Sequence, residues 1–272
     1  WRRSEGTVKV DSFAASDFTR KGRDNKYDEL KNNKLLEFYL NYMKDFKDIS
    51  SKFDFTAGYS YQDWLSSSPQ DPFVVDGIGY GYPDLNQAGD TITKAGIATK
   101  TQNTLISFYG RLNYTLKDRY LLTVTLRDDG SSRFSPDTRW GLFPSAAFAW
   151  RISDENFLKN SSALSNLKLR LGYGVTGQQD IYQDYPYIAN YSQGDPSAQY
   201  LFGDQYYYIL RPDGYDANIK WEETATLNAG LDWGFINGRI NGTIDVYQKK
   251  TSDLLAVIPV PAGSNFTANI LT

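Results

Sequence analysis

The sequence predicts an all-β protein, an antiparallel transmembrane β-barrel, and three observations lead there. From Leu35 onward apolar and polar side chains alternate with the period of two that marks a strand. The alternating runs reach about ten residues or more, where a globular strand usually has roughly five or six and a tilted membrane strand needs about nine to eleven. The connections switch regularly between short and long, as in membrane barrels with short turns on one side and long loops on the other.

Residues 1–34 are polar and irregular, with Arg20, Lys21, Arg23 and Asp24 among them, and read as an extracellular loop. Residues 35–272 then carry the barrel strands and their loops. A weak alternating segment at 35–43 opens the series. The next is the cleanest: Phe53, Phe55, Ala57, Tyr59 and Tyr61 face one way, and Lys52, Asp54, Thr56, Gly58, Ser60 and Gln62 the other. The third sets Ile106, Phe108, Gly110, Leu112 and Tyr114 against Ser107, Tyr109, Arg111, Asn113 and Thr115. The fourth sets Tyr120, Leu122, Val124 and Leu126 against Leu121, Thr123, Thr125 and Arg127. Runs near 139–152, 167–176, 221–234 and 239–249 bring the count to eight. Only 153–165 has room for a short helix. Pro144 falls mid-strand on the apolar face, where it cannot donate a ladder hydrogen bond, and predicts a bulge.

Aromatic residues bracket the apolar faces. Trp140 and Trp150 share a face ten residues apart. At about 3.3 Å per residue and a tilt near 45° that is roughly 23 Å of height, close to the ~25 Å apolar band between aromatic girdles. Trp221 and Trp233 have the same parity, and ordinary core packing is the plainer reading of all four. Short connections lie at 44–51, 117–119 and 236–238, the last with the Asn237-Gly238 pair that suits a tight hairpin. Long ones lie at 65–103, 128–138 and 177–219. The alternation makes strand 35–43 run inward and 52–62 outward, and the parity holds through all eight.

Composition removes several function classes. The 272 residues carry 29 basic and 32 acidic side chains, a net charge of −3, which speaks against nucleic-acid binding. There is no Cys and no His, so thiolate metal sites, disulfides and His-based catalysis are excluded. No cofactor, metal or enzymatic activity is expected. Aromatic residues make up 15% of the chain. Mean hydropathy is −0.52, and no uncharged apolar stretch approaches the ~18 residues of a membrane helix. A soluble glycan-binding β-sandwich or a complete small barrel acting as an anchor or adhesin shares this composition.

Several motifs in order resemble one family. They are Asp118-Arg119-Tyr120-Leu121-Leu122, Arg127-Asp128-Asp129-Gly130-Ser131-Ser132-Arg133-Phe134, Arg139-Trp140-Gly141-Leu142-Phe143-Pro144-Ser145 and Ala149-Trp150-Arg151-Ile152. Leu167-Lys168-Leu169-Arg170, Trp221-Glu222-Glu223-Thr224 and Tyr247-Gln248-Lys249-Lys250-Thr251-Ser252-Asp253 continue the series. Together they resemble the barrel of SusC/RagA transporters, TonB-dependent receptors of Bacteroidetes. The resemblance implies about eight strands of a larger, 22-stranded type of barrel in the cell outer membrane. It also implies active import of oligosaccharides or peptides, a SusD-like surface lipoprotein as partner, and energy from the TonB complex. The plug domain of such receptors, their TonB-binding segment and a signal are not recognisable in this sequence.

Candidate sites follow. The run Asp128, Asp129 and Asp137 lacks calcium-loop spacing and reads as a turn with Arg127 and Arg133 as charge partners. Glu222 and Glu223 are adjacent on a strand, so they point to opposite faces and cannot flank one bond. Arg111, Arg127, Lys168 and Arg170 are read as lumen-facing, either attracting an anionic substrate or forming a structural network with Asp54, Asp232 and Asp245. The aromatic loop residues Tyr80 and Tyr82, and Tyr206, Tyr207 and Tyr208, are candidates for contact with substrate or partner, or for packing within their loops.

Overall fold

The computed structural model describes residues 2–10, 23–68, 73–76, 91–94, 99–159, 161, 163–180, 184–193, 199–259, 261 and 269–271. Strands β1 (Arg2–Val10) and β2 (Arg23–Phe46) pair antiparallel, and β3 (Ser51–Ser68) runs back along β2. Two short strands, β4 (Phe73–Asp76) and β5 (Thr91–Lys94), precede β6 (Thr99–Leu116), β7 (Tyr120–Ser131), β8 (Trp140–Arg151) and β9 (Leu164–Gln178). The long connection that follows holds β10 (Tyr191–Gln193), β11 (Gln199–Phe202), β12 (Gln205–Tyr208) and β13 (Leu210–Pro212). After it come β14 (Glu222–Phe235), β15 (Ile240–Ser252), β16 (Val257–Pro259) and β17 (Asn269–Leu271).

One 11-stranded antiparallel sheet dominates, in the order β15-β14-β9-β8-β7-β6-β3-β2, with β1 and the β4-β5 pair joined at β2. All eight expected strands are present and are neighbours in chain order. The described run is open: β15 is its end, and β2 does not pair with it. These eight strands therefore do not close on themselves as a small barrel.

Register extends the two-faced pattern across the sheet, because residues directly opposite share a face. One row runs Tyr42, Phe55, Leu112, Val124 and Ala146, and continues through Tyr173 to Leu227. The other face carries Thr56, Arg111 and Thr125, then Ser145 and Gly174. Exposure on the apolar face is large, for example Phe38, Leu40, Phe108, Leu142 and Val246. That is how a surface solvated by lipid looks when protein alone is considered.

Aromatic residues mark both limits of the apolar band. At the short-turn end Tyr42 meets Phe53, Tyr120 stacks on Trp150 with ring centroids 6.2 Å apart, and Trp233 meets Phe235. At the long-loop end Tyr59 meets Phe108, which stacks on Trp140 at 6.2 Å. One step beyond, the same face becomes polar: Asp63 accepts hydrogen bonds from Gln102 and Thr104. At the short-turn end Glu155 plays the matching part. It accepts from Tyr120 at 2.5 Å, Trp150 Nε1 at 3.0 Å and Arg119 at 2.9 Å, so the Tyr120 and Trp150 rings turn their polar edges toward the turn and away from the apolar band.

Three expectations are corrected and a fourth is made specific. Residues 1–34 are not wholly a loop, since β1 and the first part of β2 lie there in continuous register from Arg2↔Lys31 to Val10↔Arg23. Beyond the apolar band a strand needs no apolar alternation, so its sequence looks irregular. Pro144 forms no bulge: it stays opposite Leu126, and the β8–β9 ladder begins only at Ser145, so its missing N–H breaks no bond there. The register shift falls instead between Gly234 and Phe235. Trp221 is no girdle residue. It is 5% exposed, packs on Phe134 and Phe143, and donates to the Arg139 carbonyl oxygen at 2.8 Å. Finally, among the described residues the room for a short helix at 153–165 is taken by a 3₁₀ turn, Ile152–Asp154, and a second turn in which the Lys159 amide donates to the Glu155 carbonyl oxygen at 2.8 Å.

Two outcomes test this layout. Val124→Arg in the intact receptor should cost roughly 2–4 kcal/mol, the penalty for a cation near the bilayer midplane, while Thr125→Arg on the polar face should cost far less. A reversible folding titration in lipid that gives equal losses would place both faces in water. The second concerns Glu155, which hydrogen bonds from Tyr120 and Trp150, with Arg119 beside them, hold below the usual carboxylate range. A depressed folded-state pKa stabilises above the ordinary value and is lost as pH falls through the folded one. Glu155→Gln should therefore weaken the fold at neutral pH, and its deficit should shrink in acid. A deficit that stays constant from about pH 7 to about pH 3 would assign the loss to packing instead.

Candidate functional site

The buried core of this chain is small and lies at the long-loop end, on the polar face. Leu105, Phe134, Phe143, Ile219 and Trp221 form it, with Trp64, Val175, Tyr187 and Leu255 packed around them. Leu105 and Phe143 are contributed by β6 and β8. Phe134 comes from the turn after β7, and Ile219 and Trp221 from the end of the long connection, so the loop segments fold back over the sheet. Gly141 makes room: a Cβ there would lie 2.6 Å from the Phe143 ring and 2.9 Å from the Trp221 ring.

Beside this core an open cavity of about 440 Å³ is lined by Lys31, Asn33, Trp64, Leu65, Ser66, Thr101, Asn103, Arg133 and Gln178 to Asp180. Strand register builds its floor. Asn33, Trp64 and Asn103 are direct cross-strand partners in one row, and Lys31, Ser66 and Thr101 form the next. The opposite wall is the turn after β7 and the end of β9. Arg133 ties them together: its guanidinium donates to the Gln179 carbonyl oxygen at 3.2 Å and to Asp180 at 2.9 Å, and lies 3.3 Å from Asp184. Asn103 Nδ2 also donates to Asp184, at 3.2 Å, and the Tyr185 hydroxyl donates to the Gln102 carbonyl oxygen. The root of the long connection is thereby fastened to β6. Sequence reasoning assigned Arg133 to the acidic turn and overlooked this cavity, because its partners lie 46 and more residues away.

The residues read as lumen-facing lie on the face opposite the apolar row, but they do not converge. Arg127 pairs with Asp129 at 2.7 Å, donates to Ser107 at 2.8 Å and lies over the Tyr109 ring. That ring in turn covers Gly58, where a Cβ would sit 2.3 Å from it. Arg170 bridges Asp232 at 2.9 Å and Asp245 at 3.0 Å, and Lys168 stands directly opposite Asp232. Arg111 lies between Thr56 and Thr125 with no ion pair among the described residues. Asp54 accepts from Asn41 at 2.9 Å.

The aromatic loop candidates divide. Tyr80 and Tyr82 lie outside the described residues. Tyr206, Tyr207 and Tyr208 form β12, paired with β11 around Gly203 at φ 63°. The long connection is thus no structureless loop. The three tyrosines alternate rather than making one patch: Tyr207 stacks on Tyr200 at 6.1 Å and meets Phe202 at 6.4 Å, while Tyr206 and Tyr208 face the other way. Glu222 does no acid–base work with Glu223; it accepts the Leu255 amide at 3.0 Å. Among the described residues no cluster of acidic side chains could hold a metal ion.

Comparison with known proteins converges on one family. The family model described as TonB dependent receptor-like, beta-barrel matches residues 1–271. The TonB-dependent receptor SusC of Bacteroides thetaiotaomicron is 46% identical over 243 residues, covering 89% of this chain and 23% of that protein. A TonB-dependent receptor of Formosa agariphila is 34% identical over 242 residues, covering 88% and 23%. The structure of the RagAB peptide transporter superposes with a TM-score of 0.73 at 21% identity, over 92% of this chain and 27% of that one, and shares the fold. The chain spans about a quarter of the length of these relatives.

The fastening of the long connection is testable. Arg133→Met should lower the free energy of local opening at 184–190 and 213–219 by about 1.5–3 kcal/mol, the usual worth of hydrogen bonds to a charged group. Amide exchange of Ile188 and Asp216, bonded to Tyr185 and Pro186, reads this out. Exchange that rises equally along the β7–β8 ladder would mean general destabilisation instead.

Proposed function

The chain belongs to the TonB-dependent receptor family, outer-membrane β-barrels of the SusC and RagA kind, and from that premise we propose that it forms part of the wall and mouth of an active importer of oligosaccharides or peptides. The observation that carries this reading is the two-faced sheet. One face is an apolar band between aromatic girdles, suited to lipid. The other is polar, with its charges largely paired, and suits the lining of an aqueous lumen. Paired charges on that face favour a structural network over an anion trap, since Arg127 and Arg170 already hold carboxylates.

The long connections share one end with the cavity, and we place that end outside the cell. A SusD-like lipoprotein would cover it there, and the exposed ribbon of β11 and β12 offers Tyr206 and Tyr208 for that contact or for substrate. Energy would come from the TonB complex acting on the rest of the receptor. Nothing in the arrangement performs chemistry on the substrate. Transport here is a matter of binding, fit and gated release.

Two measurements test the proposal. In cells carrying the intact receptor, uptake of its nutrient should disappear on deletion of the receptor or the lipoprotein and on collapse of the proton gradient. Uptake that survives collapse would make this a passive pore. Single cysteines at Asp204 and Asn237 report sidedness on whole cells with an impermeant maleimide. Asp204→Cys should label and Asn237→Cys should not; the reverse result would invert the topology.

A further inference from the structure

We propose that the cavity at the long-loop end is a binding subsite for neutral oligosaccharide, with Trp64 as its stacking platform and Asn33, Asn103 and Gln178 as its hydroxyl-reading groups. The inference rests on the import reading and narrows its substrate class at this wall of the mouth.

Trp64 lines the cavity and is partly buried against the cluster that holds Leu105, Phe134 and Trp221. Its Nε1 has no hydrogen-bond partner among the described residues. A rigid aromatic face with a free N–H at its edge matches a pyranose ring, which offers C–H bonds on its face and hydroxyls at its rim. Asn33 and Asn103 flank the indole in the same cross-strand row, one on each side. The Asn33 amide makes no hydrogen bond among the described residues and keeps both donor and acceptor.

The other amides are oriented by what they already hold. Asn103 gives its Nδ2 to Asp184, which leaves Oδ1 as an acceptor at the cavity lining. Gln178 accepts the backbone amides of Gln179 and Asp180 on its Oε1, which leaves Nε2 as a donor. Fixed donors and acceptors beside an aromatic plate suit vicinal hydroxyls, each of which both donates and accepts.

Charge decides against the alternatives. Both cations of the lining are paired, Lys31 with Glu29 at 2.9 Å and Arg133 with Asp180 and Asp184. A uronic acid or a peptide carboxylate would meet cations whose charge is already balanced and would be repelled by Glu29, Asp180 and Asp184 beside them. A neutral glycan meets no such repulsion. The volume lies within the range of ordinary small-ligand sites, room for a short stretch of a longer chain.

The experiment uses the intact receptor, purified with its lipoprotein partner, and titrates four probes by calorimetry: neutral gluco-oligosaccharides, neutral xylo-oligosaccharides, oligogalacturonides and a tryptic peptide pool. The expected result is binding of a neutral pool, weakened about ten-fold or more by Trp64→Ala, about three-fold or more by Asn33→Ala, and less than about three-fold by Trp64→Phe. Should Trp64→Ala lose the heat-modifiable mobility of a folded barrel, Asn33→Ala and Trp64→Phe carry the test, since Asn33 holds nothing in place. Binding of a neutral pool that ignores Trp64→Ala and Asn33→Ala overturns the subsite. So does binding of only the acidic or peptide pool, or of none of the four. Where energy-dependent uptake persists in these cases, the import reading stands and the subsite alone falls.

Discussion

A strand that crosses a bilayer finds no water for its backbone, so every N–H and C=O at that depth must be satisfied by a neighbouring strand. The rest of this structure follows from that constraint. The ladders joining β2, β3, β6, β7 and β8, and those joining β9, β14 and β15, run through the apolar band, whereas the β8–β9 ladder begins only at Ser145. The β9–β14 register shifts only at Gly234 and Phe235, beside a short turn. Pro144, the one mid-strand residue unable to donate, stands where the ladder to β9 has not begun. A soluble sheet tolerates such faults with a bound water; here position takes the place of solvent.

An unbroken register has a second consequence. Because the side-chain period is two, one alignment settles which face all strands present. Phe55, Leu112 and Val124 become one surface only because Phe55 is opposite Leu112, and Leu112 opposite Val124. The same register brings Asn33, Trp64 and Asn103 into a row on the other face, at a height where the lipid-side surface has already become polar around Asp63. The cavity floor is thus set by the pairing that builds the membrane wall, and needs no separate folding event.

Alternation made the eight crossing strands legible in the sequence, since lipid on one side and water on the other impose a contrast at every second residue. Where that contrast ends, legibility ends. β1 and the first part of β2 carry no alternating apolar pattern, and residues such as Asn25, Lys26 and Asp28 then look like loop although they pair in register. Trp221 has the parity of a girdle residue, but it lies just outside β14 and turns onto Phe143, which parity cannot foretell. The sequence groups the three tyrosines at 206–208 as contact candidates, whereas extended backbone turns Tyr207 to the opposite side from its neighbours. Parity and register agree on the face of Arg127 and Arg170. The contacts of Arg133 escape parity, because its partners at 179–184 become neighbours only after the loop folds back.

The distribution of burial explains why the mouth rather than the wall holds the protein's own core. On the wall, apolar side chains are covered by lipid, and the polar face needs only hydrogen bonds and ion pairs. At the loop end neither lipid nor a neighbouring strand is at hand, so the connections must bury their own apolar residues to hold a shape. Phe134, Ile219 and Trp221 do so against Phe143, and this cluster braces Trp64. Asp184 links the two functions in one side chain. It pairs with Arg133, which fastens the loop, and accepts from Asn103, which orients an amide beside the cavity. A shift of the loop root would therefore change the hydrogen bond that orients Asn103 beside the cavity. The loop root and the cavity floor are joined through these few short polar contacts.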